Sequence, residues 1–150
     1  MPFSEASTFW NPSWTFARGS VETSTIGELT RSAIGIGSGK LLKRSSYRLQ
    51  IDPRIDFGHD QDNCPGCRTL TRETGYGLGV FRNGPWIAAQ PLFAGLGSVA
   101  AYLPSKRVSI AVAVALGAGA YDSEGVPVNY SKTLYSQIGA ILAPDDPPAG

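Results

Sequence analysis

The first apolar pattern along the chain predicts two helices within residues 17–51. Thr25 and Glu28 have the spacing of a capping box, which marks the start of a helix. Apolar residues then recur at helical spacing until a run of glycines ends the pattern. Ser45 and Ser46 are predicted to cap a second, shorter helix that ends at Pro53. The apolar positions of the first helix are Ile26, Leu29, Ala33 and Ile36, and the glycines are Gly35, Gly37 and Gly39.

From Tyr76 onward the pattern changes to extended segments separated by turn residues. Positions 76–82 predict a strand, Asn83-Gly84 predicts a hairpin turn, and 86–90 predict the returning strand. Two more strands are predicted on either side of Pro104-Ser105, over 97–103 and 107–116. The last strand is apolar on both faces, which predicts a place at the centre of the sheet. Residues 76–116 are therefore expected to form an antiparallel meander.

The end of the chain predicts one more helix, over 129–143. Its apolar stripe begins after Ser131, a candidate cap, and Pro144 ends it before a tail over 144–150. This helix is expected to lie on the sheet, whereas the polar residues 52–75 are predicted to form a loop. The predicted fold class is α+β, an antiparallel β-sheet flanked by helices, in one domain or part of one. The stripe consists of Leu134, Ile138, Ile141 and Leu142.

Composition and charge exclude two classes of partner. The chain has 150 residues, 42% of them hydrophobic, and 13 basic against 12 acidic residues give a net charge of +1. Without a basic stripe, no nucleic-acid partner is expected. The longest apolar run, 108–116, is too short to span a membrane. Residues 1–5 lack the pattern of a signal peptide, but a longer parent protein with an upstream signal would be exported, so the localisation stays open.

The order of these elements, together with four local sequences, resembles one enzyme superfamily over residues 9–143. It is similar to the C-terminal half of the β-lactamase-related serine hydrolases, which include class C β-lactamases, D-alanyl-D-alanine peptidases and related esterases. The resemblance implies the C-terminal part of the β-lactamase/transpeptidase-like fold. The sequences that carry it are the glycine-then-Ser-Thr helix entry at 18–25, the glycine and Leu-Leu segment at 37–46, Tyr76-Gly77-Leu78-Gly79, and the hairpin at 95–104.

The family's first two catalytic motifs are absent from this chain. In the family, a Ser-x-x-Lys motif supplies the nucleophile and its base, and a Tyr-x-Asn or Ser-x-Asn motif completes the proton relay. No lysine here has a serine three positions before it, and no Tyr or Ser stands two positions before an Asn. No catalytic residue is therefore expected in this chain. The resemblance implies a C-terminal portion that is inactive alone and is partnered by a missing N-terminal lobe or parent protein.

The family's third motif, Lys-Thr-Gly or His-x-Gly, should fall just before Gly95. Its register lands on Ala89-Gln90-Pro91, where no Lys or His is found. A backbone N–H could still donate to an oxyanion here, from Gln90 or Leu92 but not from Pro91. The candidates for the cleft side of the strand are thus Ala89, Gln90, Leu92 and Gly95. The implied ligand is a small acyl, peptide or β-lactam-like molecule, and the alternative is a non-catalytic binding or scaffold module of the same fold.

Cys64-Pro65-Gly66-Cys67 is the other group with chemical potential. The pair could form a disulfide that staples the loop, a redox-active dithiol, or two unpaired thiols. A zinc site with His59 would need a fourth ligand, and the spacing matches no recognised site. Neither the glycines before Lys40 nor the acidic residues of the loop match a phosphate loop or a calcium loop. No metal and no cofactor is therefore predicted, and a thiol-dependent protein stays as a third hypothesis.

Aromatic residues near the N-terminus are concentrated in one polar segment. Phe9, Trp10, Trp14 and Phe16 lie among Ser, Thr, Asn and Pro without a helical or strand period. Exposed together they would form an apolar patch, which indicates a missing neighbour or a ligand site, whereas packing on the chain's own core is the alternative. Trp10, Trp14 and Tyr102 could line a cleft shared with an upstream lobe, and packing against that lobe is the alternative.

Overall fold

A computed structural model gives the structure of the chain and describes residues 23–52, 70–93, 95–123, 125 and 127–149. The described elements are three α-helices, six strand segments and one short 3-10 helix. In chain order they are α1 (Ile26–Gly37), α2 (Arg44–Ile51), β1 (Thr74–Tyr76), β2 (Phe81–Asn83), β3 (Trp86–Ala89), β4 (Leu92–Phe93), β5 (Leu96–Leu103), β6 (Val108–Ala115), the 3-10 helix (Ala118–Ala120) and α3 (Tyr130–Leu142).

The strands form one antiparallel sheet, which confirms the predicted α+β class. The six segments occupy five positions across the sheet. β1, β2, β3, β5 and β6 lie side by side in that order, and β4 shares the position of β3 because both pair with the same edge of β5. With β3 and β4 counted as one interrupted strand, each strand turns back beside the one before it, as a meander does. The sheet begins at Thr74, inside the segment 52–75 that was expected to be loop.

Helices cover both faces of the sheet. The last residue of α1, Gly37, lies against Tyr102 of β5, and the hydroxyl of Ser109 in β6 donates to the Thr30 carbonyl at 3.3 Å. On the opposite face, Tyr135 of α3 packs edge-to-face on Trp86 with ring centroids 5.7 Å apart. The antiparallel sheet is therefore the middle layer between α1 and α3.

The main core lies between the sheet and α3. Side chains alternate across a strand, so every second residue of β3, β5 and β6 points to this face. Eight buried residues make up the cluster: Trp86, Ala88, Val99, Ala101, Leu103, Ile110, Tyr135 and Ala143.

The start of α1 confirms the capping box. The Thr25 hydroxyl accepts from the Glu28 N–H at 3.3 Å, and the Glu28 carboxylate accepts from the Thr25 N–H at 3.0 Å. The hydrogen bond from the Thr25 backbone holds the pKa of Glu28 below its usual value. The predicted cap of the second helix was wrong, because α2 begins after Lys43, whose side chain makes no capping bond. Likewise Asn129, and not Ser131, precedes α3.

The predicted single strand over 76–82 was wrong. The chain turns between β1 and β2, where the Gly77 N–H donates to the Val80 carbonyl at 2.8 Å and Gly79 has φ 75°. A positive φ at Gly79 has little cost because glycine lacks a Cβ, so this turn replaces the middle of the expected strand. The next turn also differs: Gly84 and Pro85 form it, and Asn83 pairs with Trp86.

Among the described strands, the last one lies at an edge of the sheet and not at its predicted centre. β6 pairs with β5 along its whole length, and no described strand lies on its other side. Its two faces are apolar because α1 packs on one and α3 on the other. Two covered faces do not require two neighbouring strands, and this explains the error.

The apolar stripes predicted for α1 and α3 are partly exposed. In α1 the buried residues are Ala33 and Gly37, whereas Ile26 is 52% and Ile36 37% exposed. In α3 the buried residues are Ser131, Tyr135 and Gly139. The predicted stripe of α3 therefore lies beside the sheet-facing side, at Leu134 (42% exposed), Ile138 (37%), Ile141 (79%) and Leu142 (52%).

The tail after α3 is fixed against the end of the sheet. The indole N–H of Trp86 donates to the Asp146 carbonyl at 2.8 Å, and Ser105 donates to the Asp146 carboxylate at 3.2 Å. Lys106 in the β5–β6 turn lies 3.4 Å from the carboxylate of Asp145. These contacts hold the tail across Trp86. Among the described residues, no helix has the length and apolar character needed to cross a membrane.

Candidate functional site

The candidate site lies where β3 passes into β4. Ala89 pairs with Ala100 and Leu92 pairs with Gly97, so the same number of residues separates the two pairs on both strands. The register is therefore continuous, and no bulge lies between β3 and β4. The Pro91 carbonyl accepts a hydrogen bond from the Ser98 N–H at 3.0 Å. Pro91 has no N–H to return this bond, which explains the interruption in the ladder.

The hydrogen bond at Pro91 shows which way each backbone group points. Successive residues of a strand direct their N–H and C=O groups to opposite edges. Since Pro91 bonds to β5, the odd-numbered residues of this strand face β5. Gln90 and Leu92 consequently direct their N–H and C=O groups to the other edge.

No described strand covers that edge at Gln90 and Leu92. The neighbouring strand, β2, begins at Phe81, which pairs with Ala88. Before Phe81 the chain turns away, and the Leu78 N–H donates to the Gln50 carbonyl at the end of α2 at 2.9 Å. Within the described ranges, the two backbone amides predicted as oxyanion donors therefore lie on an open stretch of sheet edge.

The other two predicted cleft residues have different positions. Ala89 ends β3 with an exposed side chain, but its backbone groups face β5. Gly95 lies in the tight turn between β4 and β5 with φ 80°, a conformation that favours glycine. Its carbonyl accepts from the Leu116 N–H at 2.8 Å. The structure thus brings Gln90 and Leu92 to the same edge. Ala89 belongs to the ladder with β5, and Gly95 belongs to the turn between β4 and β5.

Gln90 also has a side-chain amide without an acceptor. Its Nε2 atom is buried, and no described residue accepts a hydrogen bond from it. A buried donor left without an acceptor costs about 1–3 kcal/mol. Gln90 thus combines a backbone N–H on the open edge with a buried side-chain amide that has no acceptor among the described residues.

A second polar cluster, which sequence reasoning missed, lies on the α1 face of the sheet. The Tyr47 hydroxyl donates to the Gly37 carbonyl, and its electrostatic neighbours are Tyr102 and Arg82. Burial is the main cause that raises the pKa of Tyr47, with Tyr102 adding to it and Arg82 opposing it. The Arg82 Nε is buried and lacks an acceptor among the described residues. Arg82 and Tyr102 both pair with Ile87, from the strands on either side of it, so their side chains lie on one face of the sheet. This strand register brings the two residues together.

Tyr102 does not line a cleft in the described structure. It is 6% exposed and packs on Gly37, where an added Cβ would lie 2.6 Å from the Tyr102 Cβ. The suggestion that it forms part of a ligand surface was therefore wrong. Its contact with α1 follows from the alternation of β5, whose even-numbered side chains face that helix.

On the α3 face of the sheet, the buried hydroxyl of Tyr135 also lacks a hydrogen-bond partner of ordinary geometry among the described residues. Burial raises the pKa of Tyr135 far above its usual value, and the neighbouring Asn83 amide opposes this change. Neither the Tyr135 hydroxyl nor Nδ2 of Asn83 makes a hydrogen bond of ordinary geometry with a described residue. Both groups are enclosed by α3 and the β2–β3 hairpin. They belong to the core and not to the open edge.

The remaining candidates lie outside the described residues. These are Cys64, Cys67 and His59, together with the aromatic residues Phe9, Trp10, Trp14 and Phe16. In the part of the chain that is described, no group of three or more His, Cys, Asp or Glu residues could hold a metal ion.

Comparison with known proteins gives no match of any kind. No family model matches the sequence. No curated protein and no solved structure matches it either.

Proposed function

We propose that this chain supplies the sheet and one wall of the ligand cleft in a β-lactamase-related serine hydrolase. The nucleophile and its base come from another part of that protein. The observation that carries the proposal is the open edge at Gln90 and Leu92, in an antiparallel sheet with helices on both faces. The edge lies in the segment where the family resemblance expects the third motif.

The spacing of the two amides favours a particular ligand shape. Residues two apart in a strand are separated by about 6.6–6.8 Å along its axis, so the two N–H groups cannot both bind one oxygen atom. An extended acyl-amide chain has acceptors and donors at the same period and can pair with such an edge. One N–H would stabilise the oxyanion formed when a nucleophile attacks, and the other would align the rest of the ligand.

The strand can bind a ligand but cannot supply the catalytic base, because it lacks ionisable side chains at the candidate positions. Ala89, Gln90 and Leu92 have no ionisable side chain, and proton transfer at pH 7 needs a group such as His, Lys or a carboxylate. The edge can therefore orient a ligand and stabilise negative charge, but it cannot generate the nucleophile. This agrees with the missing Ser-x-x-Lys motif.

A second candidate function is a binding or scaffold module of the same fold. The specific observation in its favour is Ala89-Gln90-Pro91, in the register where the family has a Lys or His. A module of this kind would bind the same extended ligand without acylation. Adding the missing lobe distinguishes the two, because only the hydrolase portion would then support turnover.

Ligand binding at the edge is testable by amide NMR of the full chain. On titration with an acylated dipeptide amide, and separately with a penicillin, we expect the Gln90 and Leu92 amide signals to shift together. The variant Leu92→Pro removes one edge-facing donor and leaves the ladder with β5 intact. Losing one net hydrogen bond of about 1 kcal/mol should weaken binding by roughly five- to tenfold.

The matched control is Leu92→Val, which keeps the N–H and an apolar side chain. It should bind as the unchanged chain does. Saturating ligand that shifts neither the Gln90 nor the Leu92 signal, or equal weakening in both variants, would show that this edge is not the ligand site.

A further inference from the structure

The tail at residues 144–149 lies in a groove at one end of the sheet, which we call the tail groove. Its walls come from three elements that contact the tail: Trp86 of β3, Gly139 of α3, and Ser105 and Lys106 of the β5–β6 turn. Trp86 is fixed by strand pairing and by the core, and the turn is fixed by the pairing of β5 with β6. The walls are therefore positioned by contacts that do not involve the tail.

Pro148 fills a notch that Gly139 leaves in α3. Pro148 is buried, whereas Pro147 beside it is exposed. A Cβ at position 139 would lie 2.5 Å from the Pro148 Cγ and 3.6 Å from the Trp86 Cζ2. Glycine weakens the interior of a helix, and the single glycine of α3 lies where the proline ring needs the space. The notch therefore has the shape of a seat for one proline.

The polar contacts of the groove bind the backbone and the acidic side chains just before the two prolines. The Trp86 indole N–H donates to the Asp146 carbonyl at 2.8 Å. The Ser105 hydroxyl donates to the Asp146 carboxylate at 3.2 Å. The Lys106 ammonium lies 3.4 Å from the Asp145 carboxylate and 3.9 Å from that of Asp146. One contact thus recognises the main chain, and the others select for negative charge.

This combination is the chemistry by which proteins bind proline-rich peptides. Such peptides dock in grooves lined by aromatic side chains, and their stiff backbone loses little conformational entropy on binding. A tryptophan suits this role because its ring packs on proline while its N–H needs an acceptor. In the tail groove, Trp86 lies beside the notch of Pro148 and donates to the carbonyl that precedes Pro147. The tail is held as a bound peptide would be.

We propose that the tail groove is a recognition site for peptides of the class Asp-Asp-Pro-Pro, occupied in this chain by its own residues 145–148. A peptide of that class from another protein binds the same groove once the tail leaves it, so the tail is an autoinhibitory occupant. The groove is independent of the proposed hydrolase function, because Trp86 begins β3 whereas Gln90 follows its other end.

Replacement of the tail by an external peptide tests this site in the full chain. The tail variant combines Asp146→Lys, which places two cations together at Lys106, with Pro148→Glu, which puts a charge into the notch. We expect its Trp86 indole N–H to exchange faster with solvent and its NMR signal to move. These changes show that the tail has left the groove while the walls remain.

The added probe is the capped peptide Pro-Asp-Asp-Pro-Pro-Ala, which has the sequence of residues 144–149. At about 1 mM, the effective concentration typical of a short tether, it should return the indole signal of the tail variant to its position in the unchanged chain. The same peptide with alanine in place of its last two prolines should bind roughly tenfold more weakly or worse, because it cannot fill the notch.

Adding Gly139→Ala to the tail variant blocks the notch from the groove side and should abolish peptide binding. Gly27→Ala is the matched control in α1, where an added Cβ would lie 3.7 Å from the Arg31 Nη1, and it should leave peptide binding unchanged. If the tail variant does not fold, as judged by circular dichroism, Pro148→Ser alone replaces it in the same assay. The proposal is overturned if the peptide does not restore the indole signal, if both peptides bind equally, or if Gly139→Ala leaves binding undiminished.

Discussion

A Trp86→Ala variant is expected to lose about 3–5 kcal/mol of unfolding free energy, the usual cost of truncating a large buried aromatic side chain. Trp86 is fully buried in the core between the sheet and α3. Its ring packs edge-to-face on Tyr135, and its indole N–H holds the tail through the Asp146 carbonyl. The substitution removes the packing and the hydrogen bond together, so the tail should also lose protection from hydrogen exchange.

Urea unfolding followed by far-UV circular dichroism measures this loss. Trp86→Phe is the matched control, since it keeps an aromatic ring against Tyr135 but lacks the N–H donor. It should retain more stability than Trp86→Ala while still losing the hydrogen bond to the Asp146 carbonyl. A loss below about 1 kcal/mol for Trp86→Ala would show that Trp86 does not anchor the core.

A Gly37→Ala variant is expected to lose about 1–3 kcal/mol, because it overpacks the contact between α1 and the sheet. The added Cβ would lie 2.6 Å from the Tyr102 Cβ and 2.8 Å from its Cδ1. Tyr102 is held in the middle of the sheet by pairing on both sides, so α1 has to move instead. That movement would also disturb the hydrogen bond from Tyr47 to the Gly37 carbonyl.

Gly35→Ala is the matched control within the same helix. There the added Cβ would lie 3.5 Å from the Leu41 Cδ1, an ordinary contact. Since alanine is favoured over glycine inside a helix by about 1 kcal/mol, this variant should be as stable as the unchanged chain or more so. Thermal unfolding of the two variants distinguishes overpacking from a general effect of alanine, and equal midpoints would contradict the expected contact with Tyr102.

The parts of the fold that follow from local chemistry were predictable from the sequence. The Thr25–Glu28 capping box starts α1 as expected. The strands over 86–90 and 97–103 follow from their apolar residues and the turns around them. These elements depend on neighbours within a few positions, and the sequence contains that information directly.

The errors arose where long-range packing decides the outcome. The two apolar faces of β6 indicate cover from both sides, which helices provide as well as a central place in the sheet would. The apolar stripe of α3 predicts a helix, but Gly139 and Tyr135 face the sheet because Trp86 and Pro148 come close on that side. A sequence alone does not specify which side of a helix meets such a neighbour.

The candidate site was located by sequence only in part. The resemblance selected the segment 89–95, and the missing N–H of Pro91 already excluded one donor. Which edge each amide faces depends on the pairing with β5, and whether that edge is covered depends on where β2 begins. Neither follows from the local sequence, since a shift of register by one residue would exchange the two edges.

The central claim is that this chain provides a ligand-binding edge without a nucleophile. Its most direct test is intact mass spectrometry of the purified full chain after incubation with a penicillin, and separately with an activated ester. We expect the mass to remain that of the unmodified chain in both cases, because no serine or lysine has the spacing that would activate a hydroxyl. A stoichiometric acyl adduct would contradict the claim, and peptide mapping would then identify the Ser or Cys that reacts.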